Sequence, residues 1–405
     1  MTWCSQLGTA WSSFPQFPWL QTMTGGGEKW LFPSKDKPTT AGTSTSTTAS
    51  KTPTIQEDRF LLPNGITVQV YYSIPSKGRN NKNNQSQQLY PPLLFLHGSF
   101  HAAWCWTEFF FPYFTSRGYP VVAMSWRGTG GTPAGTGVKK VKASEHCHDL
   151  QGLLTHVLPT IFRSTPYATT SERPILISHS FGGIVIMKFL ESCQDDDDDD
   201  DDDDDGTMEQ TTKKTPKAWF AGIVSICSVP PSGNGKMTMR FLRRSLVDSY
   251  KITVGFAMRR AITDASLCRD LFFGGQPQTL EDGTVDDFGV SDVDIERYQG
   301  YFARDTEATI DLMDLAKKLP SYRVDQRGRA PFVDDLPPCL VIGAKDDFIV
   351  DYEGNMETAN YYGLDEPVYV DSPHDVMLGR KWENCAKVLE EWIQEQVTPL
   401  ERRKK

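Results

Sequence analysis

Residues 174–190 read PILISHSFGGIVIMKFL, in which a short apolar run meets Ser178-His179-Ser180-Phe181-Gly182-Gly183 and then turns apolar again. A serine on a tight turn between a buried strand and a buried helix is presented as a nucleophile. The positions two before and two after it must then be small, or their side chains collide. Here those positions are Ser178 and Gly182. A serine that merely caps a helix gives the same local pattern, so Ser180 needs partners elsewhere in the chain.

The first partner is an imidazole that takes the serine proton near neutral pH. Of seven histidines only His374 lies beyond the Ser180 segment, in the stretch DSPHDVML. The second is a carboxylate that holds the histidine tautomer and stabilises the imidazolium. It belongs after a late strand and before His374, where CLVIGAKDDFIV offers Asp346 and Asp347. Asp346, three residues past Gly343, is the expected acid and Asp347 its near rival. An Asp-rich turn would explain both without chemistry.

Backbone amides must also receive the oxyanion of an acyl-transfer intermediate. Phe181, directly after the nucleophile, supplies one. The loop in FLHGSFHAAWCW supplies the other, with Ser99 the expected donor and Phe100 the second choice. His97 is read as structural.

These residues need a frame. RFLLPNGITVQVYYSIP contains two β-rich runs around Asn64-Gly65 and predicts a hairpin. PLLFLHG, YPVVAMSW, the run at 174–178, AWFAGIVSICSV and PPCLVIGAKDD predict buried strands. Between and after them, AAWCWTEFFFPYFTSRG, 144–162, 181–193, 352–362 and 375–396 predict helices, and EPVYVDSPHD a short strand and loop. Strands alternating with helices imply an α/β fold, a doubly wound and mostly parallel sheet. The core covers 58–229 and 336–396. The stretch at about 230–335 has helical patterns and no clear strand, and is expected to be a helical cap or lid over one end of the sheet.

The chain has 405 residues and a net charge of −10, but Asp195 to Asp205 is an unbroken run of eleven aspartates. Without it, 41 acidic residues face 42 basic ones, so the folded body is close to neutral. No basic stripe points to nucleic acid. The aspartate tract cannot bury anything and reads as a solvated loop within a low-complexity insertion at 194–216, without spaced ligands for a metal. A second polar insertion covers 76–90. Eight scattered cysteines lack metal-ligand spacing and fit buried thiols in a reducing, intracellular compartment. No apolar stretch is long enough to span a bilayer.

Residues 1–54 hold four tryptophans, a Ser/Thr-rich tract, no arginine and two acidic residues. They are expected to be a disordered leader, with a targeting segment as the alternative, which would place the protein in a plastid rather than the cytoplasm. RGTGGTPAG lacks both the Lys-Ser/Thr ending of a P-loop and the spacing of a dinucleotide loop, so nucleotide binding is not expected.

Taken in order, LFLHGSFHAAWCW, MSWRGTGGT, LISHSFGG, VIGAKDDFIVD and SPHDVML resemble the motifs of α/β-hydrolases over about residues 58–396. HGSFHAAWCW is similar to small esterases of the methylesterase and hydroxynitrile lyase group. GAKDDFIVD and PHDVML more closely resemble α/β-hydrolases of photosynthetic cells, some organellar. Ser178 departs from the family, which prefers glycine there. The resemblance implies a serine hydrolase cleaving an ester, thioester or small amide through Ser180, His374 and Asp346, on a small apolar acyl substrate and with no metal or organic cofactor. Lyase chemistry by the same triad, or a non-catalytic ligand-binding role, are the alternatives. Epoxide hydrolysis and dehalogenation are disfavoured, because those relatives place an aspartate where Ser180 stands.

Overall fold

The computed structural model describes residues 54–75, 90–165, 173–193, 215–257 and 259–398. The leader and nearly all of both polar insertions lie outside the described residues.

Eight strands form the main sheet: β1 Gln56–Leu61, β2 Thr67–Ser73, β3 Leu93–Leu96, β4 Val121–Met124, β5 Ile175–His179, β6 Gly222–Ile226, β7 Cys339–Asp346 and β8 Val368–Pro373. Their spatial order is β1-β2-β4-β3-β5-β6-β7-β8. β1 pairs antiparallel with β2, and β2 antiparallel with β4. The remaining six strands run parallel. Between β1 and β2, Gly65 adopts φ 79°, which the tight turn requires.

β3 and β4 are apolar at every position because helices cover both faces of the sheet. In β3, Leu93 and Phe95 join one core while Leu94 and Leu96 join the other. All four are fully buried. Truncating Phe95 to alanine would cost about 3–5 kcal/mol.

The helix expected after β3 is split into a 3-10 turn, Ala103–Trp106, and α1, Phe110–Ser116. α2 spans Ala143–Gly152 and continues through a π turn and a further helical turn to Phe162. α3 is Phe181–Ser192. The last predicted helix starts later than its pattern suggested, at Trp382, because Gly379 at φ 77° breaks the backbone before it.

Between β6 and β7 the chain leaves the sheet for a largely helical insert. It contains α4 Asn234–Arg244, α5 Leu246–Lys251, α6 Ala265–Phe272, α7 Asp292–Arg304 and α8 Leu312–Lys317. The sequence suggested no strand here, yet two short pairings exist. Gln278–Thr279 pairs with Val285–Asp286, and Thr309–Ile310 pairs with Lys140–Val141. Two-residue strands leave no periodic pattern to read.

RGTGGTPAG docks this insert onto the core. Arg127 makes a two-point ion pair with Asp149 of α2 at 2.6 and 2.8 Å. The Gly130 amide donates to Asp305 Oδ1 at 2.9 Å, and the Trp104 indole to Asp305 Oδ2 at 2.7 Å.

Candidate active site

Ser180 sits between β5 and α3 with φ 51° and ψ −119°. A non-glycine residue at positive φ is strained, and such strain persists only where the surroundings hold it. Here the Ser180 amide donates to the Ile226 carbonyl at 3.0 Å, and the amides of Gly183 and Val229 donate to the Ser180 carbonyl at 3.1 Å each. The flanking positions leave no room. A Cβ at Gly182 would stand 2.9 Å from the His97 carbonyl oxygen, and one at Gly183 would stand 1.9 Å from Ser228 Oγ. Ser178 is accommodated because its hydroxyl donates to the Val224 carbonyl at 3.2 Å. The departure from glycine therefore leaves no buried hydroxyl unsatisfied.

The loop after β3 closes on this turn from the other side. A Cβ at Gly98 would lie 2.8 Å from Ser180 Cβ and 3.3 Å from its Oγ. Only a glycine permits that approach, so the Gly98–Phe100 turn borders the serine hydroxyl. Phe100 in this turn is itself at φ 68°. The Phe181 amide is the first of α3, among the N-terminal amides that no preceding helical turn can satisfy.

His374 lies just past the end of β8 and is 2% exposed, while Ser180 is 3% exposed. Its Nδ1 meets both oxygens of Asp347, at 2.9 and 3.0 Å. Asp347 Oδ1 also accepts the amides of Ile349 and Val350, at 2.8 and 2.9 Å, which lock the carboxylate in place. Asp346, the carboxylate expected on this histidine, points elsewhere. It is half exposed and lies 3.5 Å from Lys381 Nζ. The reason is register: β7 runs on through Asp346, with an irregularity between Ala344 and Asp346, so the inward position falls to the next residue.

Three further groups around the site were not singled out from the sequence as site residues. His179 Nε2 donates to the His374 carbonyl at 2.9 Å, which leaves its buried Nδ1 without a partner among the described residues. Burial, reinforced by the neighbouring His374, lowers its pKa to about 3, so it stays neutral. His101 bonds the Ser99 carbonyl at 2.8 Å and Asp375 at 2.9 Å. Cys227 is fully buried at φ 46°, and burial together with the Asp347 carboxylate holds its thiol protonated. The adjacent His179-Ser180 and His374-Asp375 pairs were visible in the sequence, but nothing in their spacing marks a contact between loops.

His97 is structural, as expected. Its Nδ1 donates to the Gly98 carbonyl at 2.8 Å, its Nε2 accepts the Trp126 amide at 3.0 Å, and burial lowers its pKa to about 3. Ligating atoms of His179, Cys227 and His374 lie within 4.8 Å of one another. Of these, His374 Nδ1 is already engaged by Asp347.

Aromatic side chains roof the site. Phe100 packs against Phe272 and Phe302 of the insert, with ring centres 5.9 and 6.3 Å apart, and Phe272 lies 6.3 Å from the His374 ring. Among the described residues no helix is long and apolar enough to cross a membrane.

Solved structures share this architecture at low identity. The chain is similar to a thermophilic esterase from Thermogutta terrifontis (15% identity, TM-score 0.51, 85% of this chain and 100% of that one). It is also similar to epoxide hydrolase A from Mycobacterium thermoresistibile (16% identity, TM-score 0.51, 84% and 99%). A third is 2-hydroxy-6-oxo-6-phenylhexa-2,4-dienoate hydrolase from a Rhodococcus species (14% identity, TM-score 0.51, 85% and 100%). At these identities the likeness concerns the fold. No curated protein sequence matches the chain. The sequence pattern of the alpha/beta hydrolase family matches residues 93–388, which include β3 with its loop, the Ser180 turn, Asp347 and His374, and the chain belongs to that family.

Proposed function

We propose that this protein is a serine hydrolase that cleaves a carboxylic ester, thioester or small amide through an acyl-enzyme. The observation that carries the reading is the buried His374–Asp347 pair, bonded through the His374 carbonyl to His179, the residue before a serine strained onto a strand-to-helix turn. A protein that only bound a ligand would need none of these features.

Ser180 attacks the substrate carbonyl while His374 Nε2 takes its proton. Asp347 fixes the tautomer that leaves Nε2 free to accept and stabilises the imidazolium that forms. The amides of Phe181 and the Ser99–Phe100 turn receive the oxyanion, an arrangement that contributes several kcal/mol to lowering the barrier. His374 returns the proton to the leaving group. Water then repeats the sequence in reverse and frees the acid. His179, neutral and bonded to the His374 carbonyl, does not compete as a base.

Phe100, Phe272 and Phe302, packed together next to the Gly98–Phe100 turn, favour an apolar acyl group on the substrate. The near-complete burial of Ser180 and His374, with Phe272 of the insert beside His374, supports reading the insert as a lid that opens to admit substrate. Epoxide opening, the activity in one neighbour's name, is disfavoured by the serine at 180.

The test is hydrolysis of p-nitrophenyl esters from acetate to octanoate by the wild type and Ser180→Ala. The expected result is turnover that rises with chain length and vanishes in the variant. Equal turnover by both proteins would sink the proposal.

A further inference from the structure

Two buried imidazole–carboxylate pairs stand side by side here, and the proposed chemistry uses one. The other is His101–Asp375, whose side chains are 1% and 0% exposed, with Nε2 and Oδ2 2.9 Å apart. His101 Nδ1 lies 2.8 Å from the Ser99 carbonyl oxygen. Burial opposes ionisation of Asp375, but the His101 charge prevails and keeps it a carboxylate. A carbonyl and a carboxylate only accept, so both ring nitrogens carry hydrogen and His101 is an imidazolium. Burial alone would lower its pKa, but the charge and hydrogen bond of Asp375, with the Ser99 carbonyl, outweigh that and raise it. Asp375 Oδ1 has no partner among the described residues, so the carboxylate depends on His101 for compensation.

The surroundings make a charged pair costly. The His101 ring stacks on Trp104 at 5.8 Å and meets Phe302 and Phe272 edge-on at 4.7 and 6.0 Å. Removing two charges from water is seldom repaid in net stability, and an apolar pair of similar volume often serves a fold as well. What the pair connects points to another use. Asp375 directly follows His374, and its amide donates to the Phe272 carbonyl at 3.1 Å. His101 lies two residues after Ser99 and grips its carbonyl. The Ser99–Phe100 peptide is trans and planar, so holding that carbonyl also fixes the Phe100 N–H opposite it.

We infer that His101 and Asp375 are positioning residues, an imidazolium–carboxylate bridge that holds the oxyanion turn in register with the loop carrying His374. Neither touches substrate. Their bridge sets the distance between the amides that receive the oxyanion and the base that moves the proton, and a displacement near 1 Å there is enough to slow chemistry severely. The inference rests on the reading of Ser180 as the nucleophile.

The test compares full-length wild type, Asp375→Asn, and the doubly apolar His101→Phe/Asp375→Leu, using p-nitrophenyl butyrate and a fluorophosphonate probe. The expected result is a fall in kcat and labelling rate of about 100-fold in both variants, with KM within threefold and Tm of the apolar variant close to wild type. Folded variants with kcat within threefold of wild type would overturn the inference and leave the hydrolase reading intact. A wild type that neither hydrolyses nor labels would overturn the hydrolase reading itself, and this inference with it. Nitrogen-15 NMR of the histidine rings needs no variant to be stable. Both His101 nitrogens are expected to be protonated at pH 7.5, and a singly protonated ring would also overturn the inference.

Discussion

Asp347 holds His374 Nδ1 with both carboxylate oxygens, whereas its chain neighbour Asp346 faces outward toward Lys381. Two adjacent residues of one type thus differ completely in what they can contribute, which makes them a sharp internal control.

Asp347→Asn is expected to lower kcat by about 10³–10⁴-fold, since an amide can leave the imidazole in the wrong tautomer. Asp346→Asn should leave kcat within about twofold, as an exposed ion pair contributes little. Steady-state kinetics on an activated ester would check both. A larger loss for Asp346→Asn would contradict the assignment.

Gly98→Ala places a Cβ 2.8 Å from Ser180 Cβ and 3.0 Å from His179 Nδ1. Overpacking of this kind is expected to cost about 1–3 kcal/mol in urea unfolding and to displace the Gly98–Phe100 turn, with a matching loss of activity. Unchanged stability and rate would mean that the turn is not held against the serine.

Ser180→Gly relieves a backbone at φ 51°, where a side chain is penalised. The variant is expected to be inactive yet more stable by about 1 kcal/mol, because the strain stored at the turn is released. Differential scanning calorimetry would show a Tm above that of the wild type; a lower Tm would indicate an unstrained serine.

How much of this was legible beforehand follows from the kind of signal each residue leaves. The parallel strands showed as continuous apolar runs because both faces are buried. Ser180 and His374 stood out because a turn of small residues and a scarce imidazole are local facts. Asp347 was ambiguous, since choosing it requires knowing that β7 continues three residues past Gly343. The His101–Asp375 bridge joins positions 274 residues apart and has no periodicity that could announce it.

That bridge also carries a pH signature. The raised pKa of His101 means that its contribution is full below the unfolded value of about 6.5 and is lost as pH rises through the higher folded value. The lowered pKa of Asp375, where burial opposes but the His101 charge prevails, gives a contribution present above the unfolded value of about 3.9 and lost as pH falls below it. The stability of the wild type relative to His101→Phe/Asp375→Leu should therefore be greatest near pH 5–6 and fall in alkali, read by urea unfolding at several pH values. A difference that grows with pH would contradict the imidazolium.

The central claim is tested most directly by treating the full-length protein with a fluorophosphonate and locating the adduct by mass spectrometry. The account predicts a single adduct on Ser180, absent from His374→Ala. An adduct on another serine, or none on folded protein whose insert between β6 and β7 has been loosened by a substitution, would contradict it.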